Sequence, residues 1–237
     1  MTDKSQIRDA ATILLIRDAA GSPQVLMGQR GRRAAFMPGK FVFPGGALDP
    51  EDMQVPLAMR GAEPCLTRLG EALRPGAPDA MAHGLLVAAI RELWEETGQI
   101  LGAPGTWDGG VPEGWADFAA RGFVPSADGL AFVCRAITPP GRPRRFDARF
   151  FVADADRLQT DPDDFSAASD ELSNLQWIAL ADILRFDLPF ITQVVLAEVR
   201  ARLPDLSAPP EVPFFRNNDE ESLFLRLGGQ SPLAAQP

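Results

Sequence analysis

A chain of 237 residues with 46% hydrophobic content can hold one large domain or two small ones with ordinary cores. The formal charge of −9, from 32 acidic and 23 basic residues, argues against a general nucleic-acid or anionic-membrane surface. No run approaches the ~20 apolar residues a membrane helix needs. Cys65 and Cys134 are isolated and lack metal spacing, so they read as reduced thiols rather than a disulfide framework.

In chain order, Met1 to Asp9 is polar and carries no secretory apolar core. Ala11 to Arg17, the turn chemistry of Gly21-Ser22-Pro23, and Gln24 to Gly28 predict a hairpin. A basic loop follows, then a short strand from Lys40 to Phe43 that breaks into Pro44-Gly45-Gly46. Residues 49–77 are rich in Pro, Gly and Glu and read as an elaborated loop with one short helix. Asp79 is expected to cap a long helix that runs to Thr97, where Gly98 supplies the left-handed stop. A short helix is expected around Trp115 to Ala120, strands at Leu130–Ala136, Asp147–Ala153 and Leu175–Ile178, and a short helix from Leu180. Pro189 to Leu203 carries apolar residues at helical spacing. The tail offers one strand, Leu223 to Leu227, and a disordered end.

The most informative stretch is Arg91-Glu92-Leu93-Trp94-Glu95-Glu96-Thr97-Gly98. On a helix, Glu96 lies about 40° to one side of Glu92 and Glu95 about 60° to the other, so three carboxylates share one face. Bare like charges at 4 Å repel by roughly 4 kcal/mol per pair in a surface-like dielectric. A hard divalent cation removes that penalty. Glycines upstream permit close approach of backbone, so a carbonyl at Gly46 could reach the same ion. The plainer alternative is a solvated acidic face. Arginines cluster at Arg30/Arg32/Arg33 and at Arg142/Arg144/Arg145/Arg149, while Lys4 and Lys40 are the only lysines. The planar guanidinium suits phosphate recognition.

These residues resemble the Nudix hydrolases, whose signature reads G-x(5)-E-x(7)-R-E-U-x-E-E-x-G-U with U aliphatic. The part from Arg91 to Gly98 matches without a gap. Counting back, the first signature glutamate falls on His83 and the leading glycine on Ala77, and the closing aliphatic position is Gln99. An insertion of about thirty residues after Gly46 accounts for the offset. Asp79 and Glu51 are the candidates for the displaced glutamate. The resemblance implies an α/β class, a Nudix α/β/α sandwich around a mixed β-sheet, over residues 8–203, with an inserted loop at 49–77 and a partly disordered extension at 204–237. It implies a diphosphatase acting on phosphoanhydrides with Mg2+ or Mn2+ as cofactor. Gly46, Glu92, Glu95 and Glu96 are then the expected metal ligands. Arg91 orients a glutamate, and Glu171, ahead of Trp177, adds a ligand or base. His83 reads as structural.

Leu26 to Gly31, Gly39 and Phe43-Pro44-Gly45-Gly46 also resemble the motif of the coenzyme A diphosphatase branch, L-L-T-x-R-[SA]-x(3)-R-x(3)-G-x(3)-F-P-G-G. Gly28 replaces its threonine, Gly31 its small residue and Ala35 its second arginine, with Arg32 and Arg33 close enough to substitute. Ile137-Thr138-Pro139-Pro140 followed by Arg145 to Phe151 is similar to a segment of peroxisomal coenzyme A diphosphatases that carry an insertion inside the Nudix box. Phe151 reads as core. The resemblance implies coenzyme A or acyl-CoA as substrate, cut to adenosine 3′,5′-bisphosphate and (acyl) phosphopantetheine. Arg30, Arg33, Gly39, Phe43, Arg145 and Arg149 are the expected substrate-binding residues. ADP-ribose, a dinucleotide or a nucleoside triphosphate stay open as substrates, as does a catalytically silent nucleotide-binding module. The expected partner is a CoA-like small molecule, without nucleic acid or membrane, and a homodimer is allowed. The chain ends without an S-K-L-type address, so a cytoplasmic location is expected.

Overall fold

The computed structural model describes residues 6–32, 34, 36–217 and 222–228. Aliphatic and β-branched residues carry β1 (Ile7–Arg17), and Asp18 at φ 53° turns the chain into β2 (Gln24–Arg30), as the hairpin pattern predicts. Two short strands follow, β3 (Phe41–Val42) and β4 (Gly45–Ala47). The glycine pair does not break the sheet: it pairs with β1, antiparallel, with Gly46 opposite Ala11. The inserted segment holds a 3-10 turn, Pro50–Met53, and α1 (Glu63–Leu69). Val55, Cys65 and Leu69 are buried in the core beside the long helix, so the segment packs as part of the domain.

That helix, α2 (Met81–Thr97), ends at Gly98 with φ 72° as expected. Its start differs. Asp79 is exposed, and the cap position is Ala80, which offers no side-chain acceptor. Next come β5 (Gly102–Pro104), a 3-10 turn at Glu113–Trp115, α3 (Ala116–Ala120) and β6 (Phe123–Pro125), with β5 and β6 paired in a small separate sheet. The long strands β7 (Ala131–Ile137) and β8 (Arg145–Asp154) lie antiparallel, and β8 runs parallel to β1. Then β9 (Leu172–Ala179) pairs with β2, and α4 (Phe190–Arg200) covers the sheet.

The tail adds more than the one strand anticipated. β10 (Val212–Asn217) and β11 (Ser222–Leu227) form a hairpin, and β10 joins β7 in parallel. The disordered end expected of the chain falls on residues 229–237, outside the described residues. The resulting strand order is β11-β10-β7-β8-β1-β2-β3, with β4 also on β1 and β9 also on β2. One face of this mixed sheet (Ala11, Ile13, Leu15, Phe151) packs on α2, and the other (Leu14, Ile16, Val152) packs on α4. This is the α/β/α sandwich expected from the sequence. No helix of the described residues is long and apolar enough to cross a membrane.

Candidate active site

The last two turns of α2 lie against β4. An added Cβ at Gly46 would sit 2.2 Å from Glu92 Oε1, so only glycine leaves room for that carboxylate. The backbone hydrogen bonds on either side, Ile13 N–H to Pro44 O and Leu48 N–H to Asp9 O at 2.9 Å each, fix the ladder phase. Gly46 therefore turns its backbone polar groups toward Ala11. Gly45, one residue earlier, turns them the opposite way, and its N–H donates to Glu96 Oε2 at 2.8 Å. The backbone that faces the helix acids belongs to Gly45, and Gly46 contributes space.

Glu92 and Glu96 are buried, and Glu96 is only 2% exposed. Burial pushes Glu92 up to about 7, against the attraction of Arg91. Burial likewise pushes Glu96 up to about 8, although the Gly45 N–H and the Arg30 charge oppose it and Glu92 adds repulsion. Glu95 is drawn aside: Arg91 Nη1 donates to it at 3.0 Å, and its side chain is 40% exposed. Among the described residues no three acidic, cysteine or histidine side chains converge into a closed metal cage. The donors that do meet are two buried carboxylates and the Gly45 backbone. An all-oxygen set of excess negative charge fits a hard divalent cation that keeps water in its remaining positions.

Arg91 is locked by Asp52, which is neither of the two acids, Glu51 and Asp79, that the sequence offered. Its Nε and Nη2 donate to the two oxygens of Asp52 at 2.8 and 3.0 Å, and Nη2 also donates to Ala47 O at 2.9 Å. Asp52 is 1% exposed, whereas Glu51 and Asp79 are exposed. Proline at the head of the turn and acids in its first turn mark the turn in the sequence, but not which of its acids faces Arg91. His83 is structural as expected, its Nε2 lying 2.8 Å from Val55 O of the inserted segment.

Around the acids stand two further charged residues. Arg30 acts on Glu96 through space, and its Nε is buried without a hydrogen-bond partner among the described residues. Glu171 is exposed at the head of β9 and raises both Glu92 and Glu96. The loop leading toward it is pinned by Gln99, in the position the signature gives to an aliphatic residue. The Gln99 amide donates to Asp161 O and Asp164 O and accepts from Thr160, so this fully buried polar side chain is satisfied.

Other expected substrate contacts lie elsewhere. Arg149 is 1% exposed on the α2 face of β8, with Nη1 bonded to Asp9 and to Asp147 O. Arg145 donates to Thr138 O and Asn217 O, tying the strand ends together. Both spend donors inside the fold, as strand alternation with buried Phe151 requires. Phe43 is buried in the core on the α4 side. Gly39 makes a turn, its N–H donating to Arg30 O and its carbonyl accepting from Gln29. Arg33 lies outside the described residues.

No family model matches the chain. It is 28% identical over 186 residues to nudix hydrolase 7 of Caenorhabditis elegans, covering 73% of this chain and 52% of that one. It is 28% identical over 233 residues to an acyl-coenzyme A diphosphatase of Gallus gallus, covering 72% and 60%. The chain thus spans between half and two thirds of these curated relatives. A crystal structure of a NUDIX hydrolase from Alicyclobacillus acidocaldarius superposes with a TM-score of 0.62 at 27% identity, covering 88% of this chain and all of that one.

Proposed function

We propose that this chain is a Nudix hydrolase that cuts the diphosphate of coenzyme A or acyl-CoA to adenosine 3′,5′-bisphosphate and (acyl) phosphopantetheine. The observation that carries the hydrolytic reading is the pair Glu92 and Glu96, buried together beside Gly45 with protonation pushed up to about 7 and about 8. Arg91 and the Gly45 N–H only partly offset the burial of these two acids, so a cation that completes the site removes a remaining cost. Nudix hydrolases use divalent metal ions, and here Glu92, Glu96 and the Gly45 carbonyl would hold Mg2+ or Mn2+. When bound, such an ion neutralises phosphoryl oxygens and lowers the pKa of a coordinated water.

The remaining roles belong to side chains. Arg30, with an unused buried donor, binds a phosphoryl oxygen and steadies the charge that builds on it. Glu171, exposed beside the acids, accepts the proton of the attacking water. The water oxygen bonds to phosphorus, the phosphoanhydride P–O bond breaks, and its electrons leave with the departing phosphate. Arg91 holds Glu92 and Glu95 in place.

The choice of coenzyme A is supported by Arg30, Gly39 and the Phe43 to Gly46 run at the spacing of that branch, and by the acyl-CoA diphosphatase among the relatives. Incubation of purified protein and Mg2+ with coenzyme A, an acyl-CoA, ADP-ribose and NADH tests it. Adenosine 3′,5′-bisphosphate formed from the CoA compounds is expected. Faster turnover of ADP-ribose or NADH moves the substrate to another nucleoside diphosphate. Turnover of none of the four makes the chain a binding module.

A further inference from the structure

We infer that Asp52 is a positioning residue for the metal-binding carboxylates, acting through Arg91, so that the inserted segment supplies the acid missing at position 83. This rests on the metal reading above. Arg91 faces Asp52, Glu92 and Glu95 at once and is only 8% exposed. A guanidinium in that place has two uses, and they conflict. It can fix the glutamates, or it can neutralise them and compete with the cation.

Asp52 decides between the two. Its carboxylate takes Nε and Nη2, the full fork of the guanidinium, in a bidentate pair. Only Nη1 is left for Glu92 and Glu95, at 3.0 Å to each. The Arg91 charge is thereby largely matched by Asp52, while one N–H still holds the Glu92 carboxylate toward Gly46. Ala47 O accepts the second Nη2 hydrogen bond, so the guanidinium is fixed to β4 as well as to the turn.

The turn is built to hold this carboxylate still. Pro50 opens it, and the Asp49 N–H donates to Asp52 Oδ2 at 2.8 Å. Met53, the next residue, packs on the helix at Gly84, where an added Cβ would meet its side chain at 2.7 Å. The His83 contact to Val55 O closes the other side. The turn is therefore keyed to α2 two turns ahead of Arg91, and Asp52 meets the guanidinium in one register.

A purely structural Asp52 would only glue the insertion to the helix. Direct Mn2+ binding by the full chain without substrate, followed by electron paramagnetic resonance titration, separates the two roles, with folding checked by circular dichroism. Asp52→Asn should weaken Mn2+ binding by about 10- to 100-fold, the usual cost of losing an orienting partner. Adding Arg91→Gln removes the competing charge, so the double variant should match Arg91→Gln alone to within about threefold. An Asp52→Asn chain that folds and binds Mn2+ as the parent does overturns the inference. Should Asp52→Asn not fold, the comparison of Arg91→Gln with the double variant decides. Equal affinities support action through Arg91, and a further tenfold loss, roughly the full orienting term again, overturns it. A parent chain that binds no Mn2+ overturns the metal reading and this inference together, whereas a parent that binds leaves the metal reading standing whatever Asp52 does.

Discussion

Toward its Met81 end, α2 and the sheet enclose Asp9, Asp147, Arg74, Arg135 and Arg149, while toward its Thr97 end the same helix buries Glu92 and Glu96. In the first cluster charges alternate. Arg135 grips Asp147 through two N–H groups at 2.9 and 2.8 Å, Arg149 lies 3.1 Å from it, and Arg74 bonds to both Asp9 and Asp147. Burial alone would raise Asp147, but these arginines more than offset it and hold its carboxyl below the usual aspartate value. In the second cluster like charges meet, and burial pushes both acids up. The contrast separates scaffolding from chemistry: a satisfied buried network locks a fold, and a frustrated one awaits a ligand. The first cluster also has a particular task. Arg135 donates to Glu71 O and Ala72 O, and Arg74 is itself inserted, so the segment from Arg145 to Phe151 anchors the end of the insertion.

The largest effect expected from breaking this contrast is in the satisfied cluster. Asp147→Asn leaves Arg135 and Arg149 buried with too little negative charge, and should cost about 3–5 kcal/mol of folding stability. Urea unfolding measures it; a loss below about 1 kcal/mol would make the network ornamental. Glu96→Gln should do the reverse to stability and harm to function. It removes one of two repelling acids, so the metal-free chain holds or gains melting temperature, while turnover falls on the order of 10²- to 10³-fold. A variant with full turnover would remove Glu96 from the metal site.

Arg30 stands between the two kinds. Its charge acts on Glu96 and its Nε has no hydrogen-bond partner among the described residues, so Arg30→Gln should lower kcat/KM by about 10- to 100-fold, the value of one or two charge-assisted hydrogen bonds. Melting temperature should hardly move. Unchanged kinetics would show that the substrate phosphates lie elsewhere.

The same contrast explains what could be read in the sequence. The helix that carries the acids was legible because its evidence is local: acids at helical spacing, then a glycine stop. Asp52 was not, since its partner is 39 residues away and nothing local marks Asp52 over Glu51. The burial of Arg149 was within reach. Once Phe151 is read as core, the two-residue alternation of a strand puts Arg149 and Asp147 on the same inner face. Strand β10 gave no comparable signal, because Pro213, Arg216 and Asn217 interrupt its pattern and its pairing with β7 comes from far along the chain.

The last effect, and the one that tests both clusters in a single curve, is the pH dependence of the metal-free chain. Asp147 has a folded value below its ordinary 3.8, so its stabilisation is complete above that value and is lost as pH falls through the lower folded one. Glu92 and Glu96 have folded values above their ordinary 4.5, near 7 and 8. Between 4.5 and those values the unfolded chain has released protons that the folded chain keeps, so stability declines as pH rises. In EDTA the melting temperature should therefore peak near pH 4, between the ordinary aspartate and glutamate values, and decline as pH rises from 4.5 through 7 to 8. Millimolar Mg2+ binds the ionised acids, so its stabilisation should be slight at pH 5.5 and largest at pH 8.5, cancelling the alkaline decline. A melting curve indifferent to Mg2+ at pH 8.5 would mean that Glu92 and Glu96 are as well satisfied as Asp147, and the distinction between the two clusters would fail.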